Sequence, residues 1–268
     1  MHRAAILAAL FIALPARGAD FEGVISGRAF AKEQDPGSPG GTMRMFISPA
    51  GVRMQITGEM SMPSKDGGEK RKLSIDFVML WRSAEPGVHY WINEQNKTYE
   101  KKSFEKHEKE GAKKEIKVER LGKATVAGRS VEHIRVTGSS GHVEELWIDT
   151  SLSFPAAAAA ALKREETEEG WWDAVQKAGF KGIPLKMTNK DGTSGWEATS
   201  VEKKSLPGSL FSIPSGYREA KGYMDMLSPE QAQEMRKMQE DAMKNMTPEQ
   251  RKQMEEMMKK MQQQKSGQ

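Results

Sequence analysis

Cysteine is absent from this chain of 268 residues. The protein therefore has no disulfide bonds, no thiolate metal ligands and no cysteine that could carry an N-terminal lipid anchor. Beyond the first residues there is also no apolar run near the ~20 residues that a transmembrane helix needs. We therefore expect a protein that is not integral to a membrane and that relies on a substantial hydrophobic core.

The chain also lacks a strong charge of one sign. Its 41 Lys and Arg residues exceed its 37 Asp and Glu residues by only four, and the two signs are interleaved along the sequence. Nucleic-acid binding proteins usually concentrate basic residues in a patch or stripe. Nucleic acid is therefore not an expected partner.

Recognisable catalytic motifs are missing as well. The sequence has no phosphate-binding loop and no dinucleotide fingerprint, and "GSSGH" at 138–142 lacks the strand, sharp turn and helix of a nucleophile elbow. The histidines that we considered as zinc ligands are scattered, without ligand spacing: His89, His107, His133 and His142. We expect no cofactor, no metal site in this part of the chain and no enzymatic activity, although carboxylates gathered by the fold stay an open alternative.

The first 18 residues predict export. In "MHRAAILAALFIALPARGAD", His2 and Arg3 precede an apolar run from Ala4 to Leu14, and small residues follow. This is the layout of a cleavable secretory signal, and cleavage after Gly18 is favoured. An uncleaved anchor helix is the alternative. We expect a periplasmic or secreted protein with a β domain over 19–219 and a helical tail over 220–268.

The middle of the chain predicts β-structure. In "GVRMQITGE" from Gly51, apolar and polar residues alternate with a period of two, which is typical of a strand with one buried face. Similar runs recur from Phe21 to about Leu206, separated by short turn signals such as "SPAG", "AEPG", "AGR", "GSSG" and "NKDG". These connections are too short for crossover helices, so the expected arrangement is one long antiparallel meander of hairpins.

Two segments interrupt this pattern. The charged stretch "SFEKHEKEGAKKEIKVER" from Ser103 is either a solvated strand extension or a loose excursion. The stretch from Pro155 to Gly179 contains six consecutive alanines and predicts a helix, because proline favours the first turn and glycine the C-terminal cap. An alanine face lets such a helix lie close on the sheet.

Three sequence stretches carry a family resemblance: "LWIDTSLSFP", "GFKGIPLKMTN" and "LPGSLFSIPSGYREA". They resemble the LolA-like periplasmic proteins, in particular an uncharacterised branch of single-domain exported proteins. A closing "LFxIPxGY" signature is matched by Leu210, Phe211, Ile213, Pro214, Gly216 and Tyr217. The similarity extends from about Phe21 to Tyr217. It implies an antiparallel half-barrel whose concave, apolar face is covered by helices and accepts the acyl chains of lipids or lipoproteins.

A binding surface is also indicated by the residues themselves. "FVMLW" at 77–81 is apolar at five consecutive positions, so both faces of that strand have to be shielded from water. The strand can be covered by the chain itself or by an acyl ligand, which methionine side chains accommodate readily. The candidate residues for such a cavity are Met45, Met54, Ile56, Phe77, Met79, Trp81, Tyr90 and Trp147.

The C-terminal tail is rich in methionine. Ser228 and Thr247 are predicted N-caps, each followed by a proline, so two helices or one helix with a restart are expected. Their apolar stripes consist mainly of methionine. Three interpretations of the tail stay open. It forms a peripheral helix pair, it provides a face for a protein partner, or its "MxxM" spacings form a Cu(I) site. The candidate thioether ligands are Met235, Met238, Met254, Met257, Met258 and Met261, with Met243 and Met246 as a further pair.

Taken together, the sequence predicts an exported, non-enzymatic carrier or binder of a lipid or a lipoprotein acyl chain in the cell envelope. The alternative is an envelope structural or interaction protein that uses its methionine-rich tail, with Cu(I) buffering as a third possibility.

Overall fold

The structure is a computed structural model, and it describes residues 19–31, 39–62, 71–103, 116–138, 141–163, 171–230, 232–233 and 236–237. The predicted signal segment 1–18 therefore lies outside the described residues. The same holds for residues 104–115 of the charged stretch and for the tail from residue 238 onward, so the predictions for those segments stay predictions.

Most of the described chain forms β-strands. Their bounds are β1 Ala19–Asp20, β2 Gly23–Ala31, β3 Pro39–Ser48, β4 Gly51–Met62, β5 Arg71–Arg82, β6 Val88–Asn93, β7 Thr98–Ser103, β8 Lys117–Val126, β9 Arg129–Thr137, β10 Val143–Asp149, β11 Leu152–Ser153, β12 Ile183–Asn189, β13 Ser194–Lys203 and β14 Arg218–Glu219. The helices are α1 Ala156–Lys163, α2 Trp171–Lys177 and α3 Tyr223–Met226, with a 3₁₀ turn at Gly208–Phe211.

Twelve of these strands form one sheet in the order β14-β7-β6-β5-β4-β3-β2-β13-β12-β10-β9-β8. Neighbouring strands are antiparallel except for β14 and β7, which pair in parallel, and the short β1 and β11 form a separate parallel pair. The sheet is mixed and is not closed into a barrel. The prediction of a mainly β protein is confirmed.

The expected single meander is wrong in one respect. The strands β2 to β7 form one meander, and β8, β9, β10, β12 and β13 form another, and the two are joined where β13 pairs with β2. Consequently β8 lies at one end of the sheet, whereas β7, the preceding strand along the chain, lies next to β14 at the other end. Turn signals identify only strands that are neighbours in sequence, whereas the β2 to β13 pairing joins residues far apart in the chain.

The hairpin turns lie where the sequence predicts them. The "AGR" turn joins β8 to β9 with positive φ angles of 49° at Ala127 and 73° at Gly128. Two consecutive residues with positive φ are characteristic of a type I′ turn, whose twist matches that of the flanking strands. The prediction that "GSSGH" connects two strands is also confirmed, because Val143 pairs with Thr137 across this hairpin.

The predicted helical excursion forms two described helices. The N–H of Ala159 donates to the carbonyl of Pro155 at 2.9 Å at the start of α1. At the end of α2, Gly179 has a φ of +93°, and the N–H of Phe180 donates to the carbonyl of Val175 at 3.1 Å. This is the glycine-terminated helix end that the sequence predicts. Within the described residues, no helix has the length and apolar character to cross a membrane.

Three hydrophobic clusters hold these elements together. The first lies under α1 and includes Ala158 and Ala161 of that helix. The second lies under the segment 206–217, which we call the closing segment, and centres on Phe211. The third packs Val175 of α2 and Phe180 against β8, β9 and β10.

The apolar run in β5 supplies two of these clusters. Met79 and Trp81 pack in the cluster under α1, whereas Val78 and Leu80 pack in the cluster under the closing segment. Since successive side chains of a strand point to opposite faces, these four residues of the run are shared between two covers. The part of the "LFxIPxGY" signature that packs on the sheet is therefore a lid over one sheet face.

We expect Phe211→Ala to lower the free energy of unfolding by about 3 to 5 kcal/mol, because it truncates a buried aromatic side chain. Phe211 is 4% exposed. Urea denaturation measures the change, with the exposed Ser215→Ala as a control that stays within about 0.5 kcal/mol of the parent protein. Equal stabilities of the two variants would contradict the role of the closing segment.

Candidate apolar binding site

The face of the sheet under α1 carries rows of apolar side chains that run across several strands. One row joins the Cα partners Met45, Met54, Met79 and Trp91 across β3 to β6. The row on one side of it contains Met43, Ile56 and Phe77. The row on the other side contains Ile47, Val52 and Trp81, and it ends in His89 and Lys102.

Burial changes along these rows. Met43, Met45 and Trp81 are at most 7% exposed and belong to the core proper. By contrast, Met54, Ile56, Phe77, Met79 and Trp91 are only partly buried. The β4 to β6 part of this face therefore presents a connected apolar surface that the described residues cover incompletely, which is characteristic of ligand sites as well as of interfaces.

The cover over this surface is light. Helix α1 packs against β4 and β5, and the side chains that it buries most fully are those of Ala158 and Ala161. Each contributes one methyl group, and burial of such a group stabilises a contact by only about 0.8 kcal/mol. The helix therefore lies close to the sheet, and its partly buried Leu162 also packs against this cluster.

Aromatic rings gather at the β6 side of the surface. The rings of Phe77 and Trp91 stack with centroids 5.5 Å apart. His89 lies 6.3 Å from the ring of Trp81 and 6.4 Å from that of Trp91. The ammonium group of Lys102 is 4.6 Å from the centroid of the Trp91 ring, within range of a cation–π interaction.

The environment of His89 keeps its imidazole neutral. Burial, together with the smaller effect of the nearby charge of Lys102, lowers the pKa of His89 from 6.5 to about 4. His89 is 5% exposed, so protonation would place a second cation in a desolvated place beside Lys102. At neutral pH this end of the surface therefore contains one cation, Lys102, with the carboxylate of Glu100 3.4 Å away.

The structure brings most of the predicted site residues together. Met45, Met54, Ile56, Phe77, Met79 and Trp81 share the face under α1. Trp147 packs against the same cluster from β10 and stacks on His133 at 4.1 Å.

Tyr90 does not join this group. It lies on the opposite face in the cluster under the closing segment, where its hydroxyl donates to Glu85 at 2.5 Å. The prediction that Tyr90 lines the surface of the methionines is therefore wrong, and its neighbour Trp91 faces them instead.

Sequence reasoning missed Trp91, His89 and Lys102. The alternation in "VHYWIN" places His89 and Trp91 on one face and Tyr90 on the other, but it does not say which of these faces meets the methionines. Pairing of Met79 with Trp91 decides this. That register was the missing information, because a shift of one residue exchanges the two faces of a strand.

Two grooves of the described chain lie elsewhere and are lined by other residues. A groove of about 400 Å³ lies along Arg129, Asp149 and Ser151. There the buried Asp149 accepts hydrogen bonds from Arg129 and from Ser151, whose N–H is 2.9 Å away. The second groove, of about 370 Å³, lies between β7 and the residues that follow α3. Neither groove contains a residue of the apolar surface.

Polar side chains accompany the closing segment on the opposite face. Arg53, which is 7% exposed, forms a salt bridge with Glu94, and the amide of Gln55 donates to the same carboxylate at 3.3 Å. Burial raises the pKa of Asp76 and the charge of Glu94 adds to this effect, while a hydrogen bond from Gln55 lowers it. Asp76 therefore favours its neutral form more than an exposed aspartate does.

The first part of the tail is docked on the sheet. Met226 of α3 is buried, and its carbonyl accepts hydrogen bonds from the side-chain amides of Asn93 at 3.1 Å and Asn96 at 2.9 Å. After Ser228 the chain is helical at 229–230, and the N–H of Ala232 donates to the carbonyl of Ser228 at 2.8 Å. The predicted helix start after Ser228 is confirmed, whereas the tail methionines of the Cu(I) hypothesis have no described side chains.

Comparison with known families identifies the class of this β protein. The model of the family described as "Domain of unknown function (DUF4412)" matches residues 21–217, which end at the tyrosine of the closing signature. The chain belongs to this family. A search of curated proteins gave no match.

The low pKa of His89 predicts a loss of stability in mild acid. The unfolded chain takes up a proton near pH 6.5 and the folded chain only near pH 4, so the free energy of unfolding falls by up to about 3 kcal/mol between these values. His89→Phe removes this part of the pH dependence, and thermal unfolding at a series of pH values measures it. The exposed His142→Phe serves as a control with the parent profile. An unchanged profile for His89→Phe would refute the assignment.

Asp76 gives a prediction of the opposite sign. Because its pKa is raised, the folded protein favours protonated Asp76 more than the unfolded chain does. The stability gained in this way is complete below the pKa of an unfolded aspartate and is lost as the pH rises through the pKa of Asp76 in the folded protein. Asp76→Asn is therefore expected to raise the melting temperature at pH 7 and to lose this advantage near pH 4. In contrast, Asp149→Asn disturbs a buried and fully bonded carboxylate and should lower the melting temperature. A melting temperature of Asp76→Asn below the parent value at pH 7 would contradict this account.

Proposed function

We propose that the protein is an exported, non-enzymatic carrier or binder of an apolar ligand, a lipid or a lipoprotein acyl chain, in the cell envelope. The proposal combines the predicted secretory signal with the LolA-like resemblance of the sequence. It is supported above all by one observation, the incompletely covered apolar surface of Met54, Ile56, Phe77, Met79 and Trp91 under α1.

The side chains of this surface suit an acyl chain. The thioethers of Met54 and Met79 are adaptable, and they lie directly opposite each other on β4 and β5. Each methylene of a ligand that leaves water contributes about 0.8 kcal/mol. A chain of several methylenes is therefore held without any polar contact.

The second candidate function is that of an envelope interaction protein. It is favoured by the docking of α3, because the hydrogen bonds to the Met226 carbonyl fix where the tail leaves the sheet. A tail anchored in this way could present its methionines to a protein partner. Cu(I) buffering by the same methionines is a further alternative, since thioethers select soft metals.

Native mass spectrometry of the protein extracted from its own envelope separates these functions. The carrier predicts a bound lipid mass, and this mass should fall to the apo value in Met54→Glu, which places a charge on the apolar surface. Thr125→Glu, at an exposed position of β8, is the control that retains the lipid. An apo mass for the parent protein would favour the interaction protein, and Cu(I) uptake that disappears on truncation after Tyr217 would favour the metal alternative.

A further inference from the structure

Two hydrogen-bond donors without an acceptor lie where the aromatic end of the apolar surface meets the buried core. The indole nitrogens of Trp81 and Trp91 are both shielded from solvent and have no hydrogen-bond partner in the described part of the chain. Trp81 is 3% exposed. Buried donors nearly always have an acceptor in folded proteins, so two such groups side by side call for a physical explanation.

The two donors belong to one small region. Trp81 is the Cα partner of His89, and Trp91 follows two residues later on the same face of β6. Both indole rings are within 6.4 Å of the His89 ring. The two tryptophans are therefore diagonal neighbours on adjacent strands, close enough for one ligand to contact both rings.

The charges around these donors narrow the chemistry of that group. Lys102 and Glu100 lie next to it on β7, 3.4 Å apart, and they neutralise each other. Because the pKa of about 4 keeps His89 uncharged, the region has no net charge. It also contains a buried acceptor, Oε2 of Glu100, which is opposite Trp91 and pairs with Lys102 but makes no hydrogen bond in the described part of the chain. A ligand carboxylate placed here would lose its hydration next to the carboxylate of Glu100, which is unfavourable. A neutral carbonyl oxygen would instead exchange its hydrogen bonds to water for hydrogen bonds from the indole N–H groups.

We infer that the ligand of the apolar surface is an acyl ester or amide whose carbonyl oxygen accepts hydrogen bonds from the indole N–H groups of Trp81 and Trp91. The acyl chain then runs from this end along Met79 and Met54. This inference rests on the proposed function and adds the class of head group.

Three ligands of equal chain length test the inference: dodecane, methyl dodecanoate and dodecanoate. Their affinities are measured at pH 7 by displacement of a fluorescent apolar probe. Each hydrogen bond to a buried donor strengthens binding by roughly tenfold, so methyl dodecanoate is expected to bind at least about tenfold more tightly than either of the other two. Trp81→Phe and Trp91→Phe should each reduce this advantage, and the control Trp196→Phe, in β13, should preserve it.

A second measurement uses the parent protein and therefore does not require that the variants fold. In proton–nitrogen NMR spectra of the parent protein, the indole resonances of Trp81 and Trp91 should shift downfield with methyl dodecanoate and not with dodecane. Equal affinity for the ester and the alkane, or tightest binding of the carboxylate, would overturn the inference and leave the carrier function intact. If none of the three ligands binds, the proposed function itself fails.

Discussion

The structure depends on the need to shield both faces of β4 and β5 from water. These strands lie between α1 on one face and the closing segment on the other. In β5, Val78 and Leu80 are fully buried on the side of the closing segment. An antiparallel sheet usually leaves one face to solvent, and its strands then alternate between apolar and polar residues. Here the apolar run of β5 removes that option, so the chain has to provide two covers.

The two covers of the sheet differ in the apolar side chains that they contribute. The closing segment inserts Phe211 and packs Leu210, Ile213 and Tyr217 on the sheet, which is a large apolar contact. Helix α1 contributes the methyl groups of Ala158 and Ala161 and the partly buried side chain of Leu162 to the other face. The contact of the closing segment therefore buries its sheet face, whereas the face under α1 keeps methionine and aromatic side chains that are partly exposed.

Much of this arrangement was predictable from local patterns. The hairpins follow from turn residues such as Ala127 and Gly128, and the helix ends follow from Pro155 and Gly179. What could not be predicted is non-local. Pairing of β13 with β2 joins distant parts of the chain, and the exchange of Tyr90 for Trp91 in the candidate site depends on a strand register that the sequence does not state. The unsatisfied indole nitrogens depend on the positions of neighbouring side chains, which no single-sequence pattern contains.

The central claim is that an acyl chain occupies the face under α1. Photocrosslinking tests it most directly, with a long-chain acyl ester that carries a diazirine near its methyl end, followed by mass spectrometry of the labelled peptides. We expect the label on β4 and β5 at the face of Met54, Ile56 and Met79. Labelling confined to the closing segment or to the tail, or label that an excess of unlabelled ester does not displace, would contradict the account.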